Sequence, residues 1–221
     1  MEAGDMNKDR SYAVFGLGRY GRAVAKELAA AGADVLAVDI DENIVNAVAS
    51  EIPFCKCADV TDPDVIKRLG IADIDVVIIA MAAGLETSVM ATMLCKEAGA
   101  GQVIVKCSNE INCRILSRVG ADRVVVPENE SGIRMARNLL SSGIMEYIEL
   151  SDSLSMVELH VNEKWRGKSL IELDLRRKYS INVVAIISND EVHVSPDPEM
   201  PLSDSMRLIV IGESASIERL K

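Results

Sequence analysis

Six residues near the start of the chain, Gly16-Leu17-Gly18-Arg19-Tyr20-Gly21, have the spacing G-x-G-x-x-G. In that spacing the first glycine permits a tight turn and the second lets a phosphate approach the backbone. The third lets a helix sit close on a strand. Amides at the start of the following helix then face the phosphates. Asp39 closes the next apolar run, placed to accept hydrogen bonds from ribose hydroxyls. That argues against a 2'-phosphate and so against NADP. Nucleotide binding is the chemistry expected here, with Tyr20 carried inside the loop.

Arg19 is the more informative residue of the loop. A cation at a helix N-terminus opposes the macrodipole unless something compensates it, and Arg22 adds a second charge one turn on. A ligand with several phosphates would compensate both; an arginine simply solvated at the loop tip is the alternative. Other strand ends face the same crevice. Asp59 and Thr61, in A-D-V-T-D-P, are placed to read an adenine or ribose edge, while Asp62 reads as a helix N-cap. The run Ala80-Met81-Ala82-Ala83-Gly84 supplies small residues, Ala82 among them, that admit a ligand to the backbone. Lys106 ends an apolar run and calls for an anion. Glu128 reads either as a helix-start carboxylate or as a ligand for a cation, divalent or Na+, shared with phosphates.

Enzyme chemistry is poorly supplied. His160 and His193 fall in strands far from the glycine loop, and G-x-S-x-G, H-E-x-x-H and a Walker P-loop are all missing from the sequence. Binding without turnover is the better reading. The five cysteines (Cys55, Cys57, Cys95, Cys107 and Cys113) form no C-x-x-C, so zinc is not expected and they read as thiols packed as small hydrophobes.

The elements that must hold these residues follow from hydrophobic period. Short apolar runs at 12–16, 34–39, 53–58, 75–80, 102–107 and 122–127 alternate with helical stretches. Several are apolar on both faces, as parallel strands covered by helices are. The fold class expected is α/β: a Rossmann-like doubly wound parallel sheet followed by a small α+β module. That module reads as strand 156–161, helix 170–179, strands 182–188 and 191–194 joined by a turn at Asn189-Asp190, and strand 207–212. The expected division is a disordered tail at 1–10, a nucleotide-binding domain at 11–142, a linker at 143–153 and a ligand-binding domain at 154–221. Helical stretches 87–98 and 130–140 are apolar over more than one face, so a second subunit is the expected cover.

Composition narrows the class. The 221 residues carry 24 Lys and Arg against 34 Asp and Glu, a net charge of -10, which leaves no basic footprint for nucleic acid. The same balance argues against direct anchoring to anionic lipid. The start, MEAGDMNKDR, lacks the apolar stretch of a signal peptide, and no apolar run approaches the roughly 20 residues of a spanning helix. A soluble intracellular protein is expected.

With these residues in view, GLGRYG, VLAVDIDE, ADVTDP, VIIAMA, VIVKCSN and GADRVVVPE, followed by a small β-rich module, the chain resembles the RCK (KTN) regulators of potassium transport. The likeness is to KtrA/TrkA-like cytosolic gating subunits and covers residues 11–213. It implies RCK_N and RCK_C domains and homodimers assembling into a ring, an octamer in many members. Such rings dock beneath a membrane potassium channel or transporter subunit, which implies a cytoplasmic place at the inner face of the plasma membrane. It implies ATP or ADP in the first domain, or NAD/NADH as in other members. Gly16, Gly18 and Gly21 would cradle phosphates, Asp39 hold ribose, Asp59 lie by adenine, and Arg19 reach a γ-phosphate across a dimer. Glu128 would help hold a cation there. The second module implies cyclic di-AMP as another ligand, with Arg176 on phosphate, Asn182 beside Val183 on a base edge, and Leu170, Ile171 and Pro198 as apolar walls. The rival readings are an NAD-sensing regulator of a cation antiporter or of transcription, and a small NAD-dependent oxidoreductase.

Overall fold

The computed structural model describes residues 10–81, 84–140, 144–151, 153–189 and 191–220. Of the tail expected at 1–10, residues 1–9 lie outside them, as do Ala82 and Asp190. The chain divides into two compact units, 1–128 and 129–221.

The first unit alternates strand and helix. It runs β1 (Ser11–Phe15), α1 (Arg19–Ala30), β2 (Asp34–Asp39), α2 (Glu42–Val48), β3 (Phe54–Cys57) and α3 (Pro63–Arg68). Then follow β4 (Val76–Ile79), α4 (Leu85–Ala98), β5 (Gln102–Lys106), α5 (Glu110–Val119) and β6 (Arg123–Val125). All pairings are parallel and the strand order is β3-β2-β1-β4-β5-β6, the doubly wound sheet expected from sequence. The strands are apolar on both faces for a visible reason. Ala13 and Phe15 of β1 join Val77, Ile79, Val103 and Val105 in a core under Ile66 of α3, Leu94 of α4 and Leu116 of α5. Val14, between them, turns the other way into a core with Val35, Ala37, Ala25 of α1 and Val48 of α2. Helix starts are set by short polar side chains. Asp41 accepts from the Asn43 amide, Asp62 from that of Asp64, and Asn109 from that of Asn112.

The second unit holds most of α6 (Pro127–Leu140), then β7 (Ile144–Glu149), β8 (Leu154–His160), α7 (Leu170–Leu173), α8 (Leu175–Tyr179) and β9 (Ile181–Ser188). It ends with β10 (Glu191–His193), β11 (Arg207–Glu213) and α9 (Ser214–Glu218). Its five strands form an antiparallel sheet in the order β10-β9-β11-β8-β7. Leu208, Val210, Ile181, Ile186 and Trp165 are buried in its core.

Three details differ from the sequence reading. The stretch read as a linker, 143–153, contains β7, which pairs with β8 through Tyr147↔Val157 and Ile148↔Met156. The helix read over 170–179 is broken at Asp174, whose left-handed backbone (φ 45) separates α7 from α8. Aspartate tolerates that region better than most side chains. The cysteines are not five separate thiols, because Cys107 at the end of β5 and Cys113 on α5 are joined as a disulfide. α5 starts so soon after β5 that it brings the two Cα atoms to 5.6 Å, within disulfide reach. Cys95 is buried and burial pushes its thiol up to about 12, whereas Cys57 is exposed.

The apolar surplus on two helices is also visible. On α6, Ile133, Met135 and Leu139 are exposed, the last to 81%, and on α4 Met93 is 37% exposed. Leu208 sits between β8 and β9 with none of its surface exposed. Leu208→Ala is expected to cost the second unit about 2–5 kcal/mol in urea unfolding, the cost of a core cavity. A loss below about 1 kcal/mol would mean that the strand is not central to the core.

Candidate functional site

The end of β1 is stitched to both neighbouring strands. Gly16 N–H donates to the Val38 carbonyl at 2.8 Å, and Ala80 N–H donates to the Phe15 carbonyl at 2.7 Å. The chain must turn sharply there, and Gly16 does so at φ 87. A Cβ on Gly16 would lie 2.9 Å from the backbone of Met81, and one on Gly21 would collide with the Gly16 carbonyl oxygen. Both glycines are therefore required by the protein itself. Gly18 is different: its backbone is ordinary (φ -63) and a Cβ would meet nothing within 4 Å. The space at Gly18 is left open, at the N-cap of α1, whose first turn has neither an acidic residue nor a capping side chain. Its free amides suit an anion.

Asp39 holds this loop. Its Oδ2 accepts from the Leu17 amide at 2.6 Å, and its Oδ1 accepts from the Asp41 amide at 3.0 Å. A carboxylate has lone pairs beyond these two bonds and can still accept from a vicinal diol. Asp59 is held in a similar way, since its Oδ1 takes the Thr61 hydroxyl at 2.6 Å and the Thr61 amide at 2.9 Å. Those bonds, the hydroxyl first, hold its carboxyl below the usual carboxylate range. Between Gly16, Gly18, Asp39, Asp59 and Thr61 lies a cleft of about 400 Å³ at the carboxyl ends of β1, β2 and β4. Its apolar walls are Val38, Ile40, Ile44, Val60, Ala80 and Met81, with Thr87 on α4. Apolar walls with a few convergent polar groups are what a nucleoside needs.

The structure brings together Gly16, Gly18, Asp39, Asp59 and Thr61 from the sequence reading. Arg19 is exposed at the helix start, outside the cleft lining, and Tyr20 is turned into the α1 side of the core. Lys106 lies in an adjoining recess of about 230 Å³ that shares Met81 with the cleft. Its ammonium pairs with Glu128 at 2.6 Å, and this bond is the main reason the Glu128 carboxyl is held below its ordinary value. The anion expected for Lys106 is thus supplied by the chain. Among the described residues no group of three or more His, Cys, Asp or Glu gathers to hold a metal. Sequence reasoning did not single out Ile40, Ile44, Val60 and Thr87. Ile40 and Val60 follow the ends of β2 and β3 within three residues, whereas Ile44 and Thr87 stand on α2 and α4, where no motif marks them.

In the second unit, Leu170, Ile171, Arg176, Asn182 and Val183 line one shallow cavity of about 320 Å³ with Asp174, Leu175 and Ile181. Pro198 is outside that lining but is tied to it, its carbonyl accepting from the Ile171 amide at 3.2 Å. The Ser169–Glu172 capping box fixes the first turn of α7.

Gly16→Ala is expected to destabilise the first unit by about 1–3 kcal/mol through positive φ and the Met81 contact. Gly18→Ala should leave urea unfolding unchanged within about 0.5 kcal/mol. Equal losses for the two would contradict the distinction drawn between these glycines.

Comparison with known proteins agrees with this anatomy. The TrkA-N domain model matches residues 12–127 and the TrkA-C domain model matches 154–221. Ktr system potassium uptake protein C of Bacillus subtilis is 39% identical over 212 residues, 96% of each chain. Ktr system potassium uptake protein A of the same organism is 36% identical over 97% of this chain and 96% of its own. Among solved structures, that of the GsuK channel bound to NAD matches 97% of this chain at a TM-score of 0.64 and 16% identity. The likeness is one of fold, and the chain spans 39% of that channel's length. A doubly wound unit with an open glycine loop, followed by a small antiparallel unit, places this chain in the TrkA-N/TrkA-C (RCK) family of potassium-transport regulators.

Proposed function

We propose that this chain is the nucleotide-responsive gating subunit of a potassium uptake system, working at the cytoplasmic face of a membrane channel or transporter subunit. The observation that carries the reading is the opening at Gly18, beneath uncapped α1 amides and beside the Asp39 carboxylate. Phosphates would occupy the opening, ribose hydroxyls would donate to Asp39, and a base would lie against Ile40 and Val60 near Asp59. The relatives' names supply the potassium system. No helix among the described residues is long and apolar enough to cross a membrane, so docking onto a membrane subunit is proposed.

The exposed apolar residues of α4 and α6 support a homodimer that assembles into a ring, an octamer by family likeness. Arg19, exposed at the helix start, would then reach the γ-phosphate of a nucleotide held by the partner. Ligands that favour one ring shape shift its population by their differential affinity, and the ring holds or releases the gate. The role is binding rather than turnover. The cavity at Leu170, Arg176 and Asn182 is the proposed cyclic di-AMP site, with Pro198 at its edge and a two-fold partner completing it. A second reading of the first site, NAD in place of ATP or ADP, draws on the recess beyond Met81, which adjoins the cleft as a second nucleoside would require.

Identification of the nucleotide that copurifies with the protein tests the reading directly. Gly18→Ala should weaken ATP binding by about tenfold or more in calorimetry, with the fold intact. Arg19→Ala should weaken ATP more than ADP; an equal loss for both would remove γ-phosphate sensing. Binding of NADH with no measurable ATP binding would replace the ATP reading by the NAD reading. Arg176→Ala should lower cyclic di-AMP affinity by about tenfold. Unchanged affinity would move that ligand elsewhere.

A further inference from the structure

The Cys107–Cys113 pair lies where the cleft meets its adjoining recess. Cys107 follows Lys106 at the end of β5 and helps line the recess with Ser108, Asn112 and Met81, the residue shared with the cleft. Cys113 opens the other way, onto a broad groove along α5 that also holds Arg114 and Arg118. One sulfur therefore borders the recess while the other lines the open groove, where a small disulfide can reach it. The segment between them is the entry turn and first turn of α5, tied at its ends by the Cys107 amide to the Val125 carbonyl at 2.9 Å and the Cys113 amide to the Asn109 carbonyl at 3.0 Å. The Asn109 side chain accepts from the Asn112 amide at 2.9 Å, and Asn112 Nδ2 donates to Ser108 Oγ at 3.3 Å.

We infer that Cys107 and Cys113 form a reversible dithiol–disulfide couple whose state sets nucleotide affinity in the adjoining cleft; the second half of this rests on the nucleotide reading above. The oxidant is a small disulfide of the glutathione type. The Cys113 thiolate attacks one of its sulfurs, forming a mixed disulfide and releasing one thiolate. The Cys107 thiolate then attacks the Cys113 sulfur, closing the protein bond and releasing the second thiolate. Two electrons pass from the protein dithiol to the small disulfide, and the two protons lost by the cysteines end on the two released thiols. In a reducing compartment the dithiol prevails, and the bond closes under oxidative load. Closure removes freedom from the segment carrying Ser108 and Asn112 before any ligand arrives. Met81 lines both the recess and the cleft, so order imposed on the recess wall reaches the nucleotide through Met81, and the nucleotide then loses less conformational entropy on binding. The oxidised form should bind ATP more tightly, by about fivefold or more. By linkage, ATP should raise the oxidised-to-reduced ratio by the same factor at a fixed glutathione ratio.

The sequence makes the test direct. Trypsin cuts after Lys106 and Arg114, so both cysteines fall on one peptide, 107–114. The intact chain is equilibrated with mixtures of reduced and oxidised glutathione, alkylated and digested. The reduced form gives a doubly alkylated peptide, and the oxidised form an unalkylated one lighter by the two thiol hydrogens. Calorimetric ATP titration of the two forms gives the affinities, and Cys113→Ser should bind as the reduced form does at every glutathione ratio. Double alkylation at every ratio overturns the couple, and a closed bond with equal ATP affinity overturns the coupling. Failure of ATP to bind either form overturns the coupling together with the nucleotide reading, and the peptide mass separates that result from failure of the couple itself.

Discussion

The hydrogen bond from the Leu17 amide to Asp39 Oδ2, 2.6 Å long, is the contact on which the site depends. It ties the tip of the glycine loop to the end of β2, while the Gly16 amide holds the same loop to Val38. With both in place, Gly16 must turn at positive φ against Met81, and α1 begins with its amides aimed into open space. An acidic side chain at that spot anchors the loop and remains available to a diol. Its two roles are compatible because a carboxylate has more lone pairs than the backbone uses.

Much of this was legible in the sequence, and the reasons are local. G-x-G-x-x-G and the acidic strand end are readable because each glycine answers a single steric demand. Buried parallel strands are readable because both faces are apolar. The Lys106–Glu128 pair was not readable: Lys106 reads as calling for an anion and Glu128 as a helix-start carboxylate or a cation ligand, and nothing local joins them across 22 positions of chain that include α5 and β6. The break at Asp174 was missed because the apolar period runs through it, and only the tolerance of aspartate for a left-handed backbone marks it. β7 was missed because Ile144–Glu149 reads as a strand only once β8 is there to pair with it. The Cys107–Cys113 bond depends on how soon α5 turns back over β5, which spacing alone leaves open.

Net charge also takes on a different meaning. The chain carries -10 overall, yet the α1 start has Arg19 and Arg22 and no carboxylate in its first turn. The acidic side chains at the cleft, Asp39 and Asp59, are both held by backbone amides and so are partly neutralised toward an incoming anion. An acidic body with a locally receptive helix end explains how a polyanion can approach a protein of like sign. The same net charge would oppose approach to an anionic membrane surface.

The way Asp59 is held has a kinetic and entropic meaning. Its Oδ1 is fixed by both donors of Thr61, as Asp39 is fixed by Leu17 and Asp41. Neither carboxylate has to search for its position when a ligand arrives. Preorganised groups of this kind discriminate between ligands with little rearrangement of their own, so the free energy of discrimination is left to act elsewhere in the molecule. A cleft of that kind behaves as a rigid reader. The moving parts of any response must then be sought outside it.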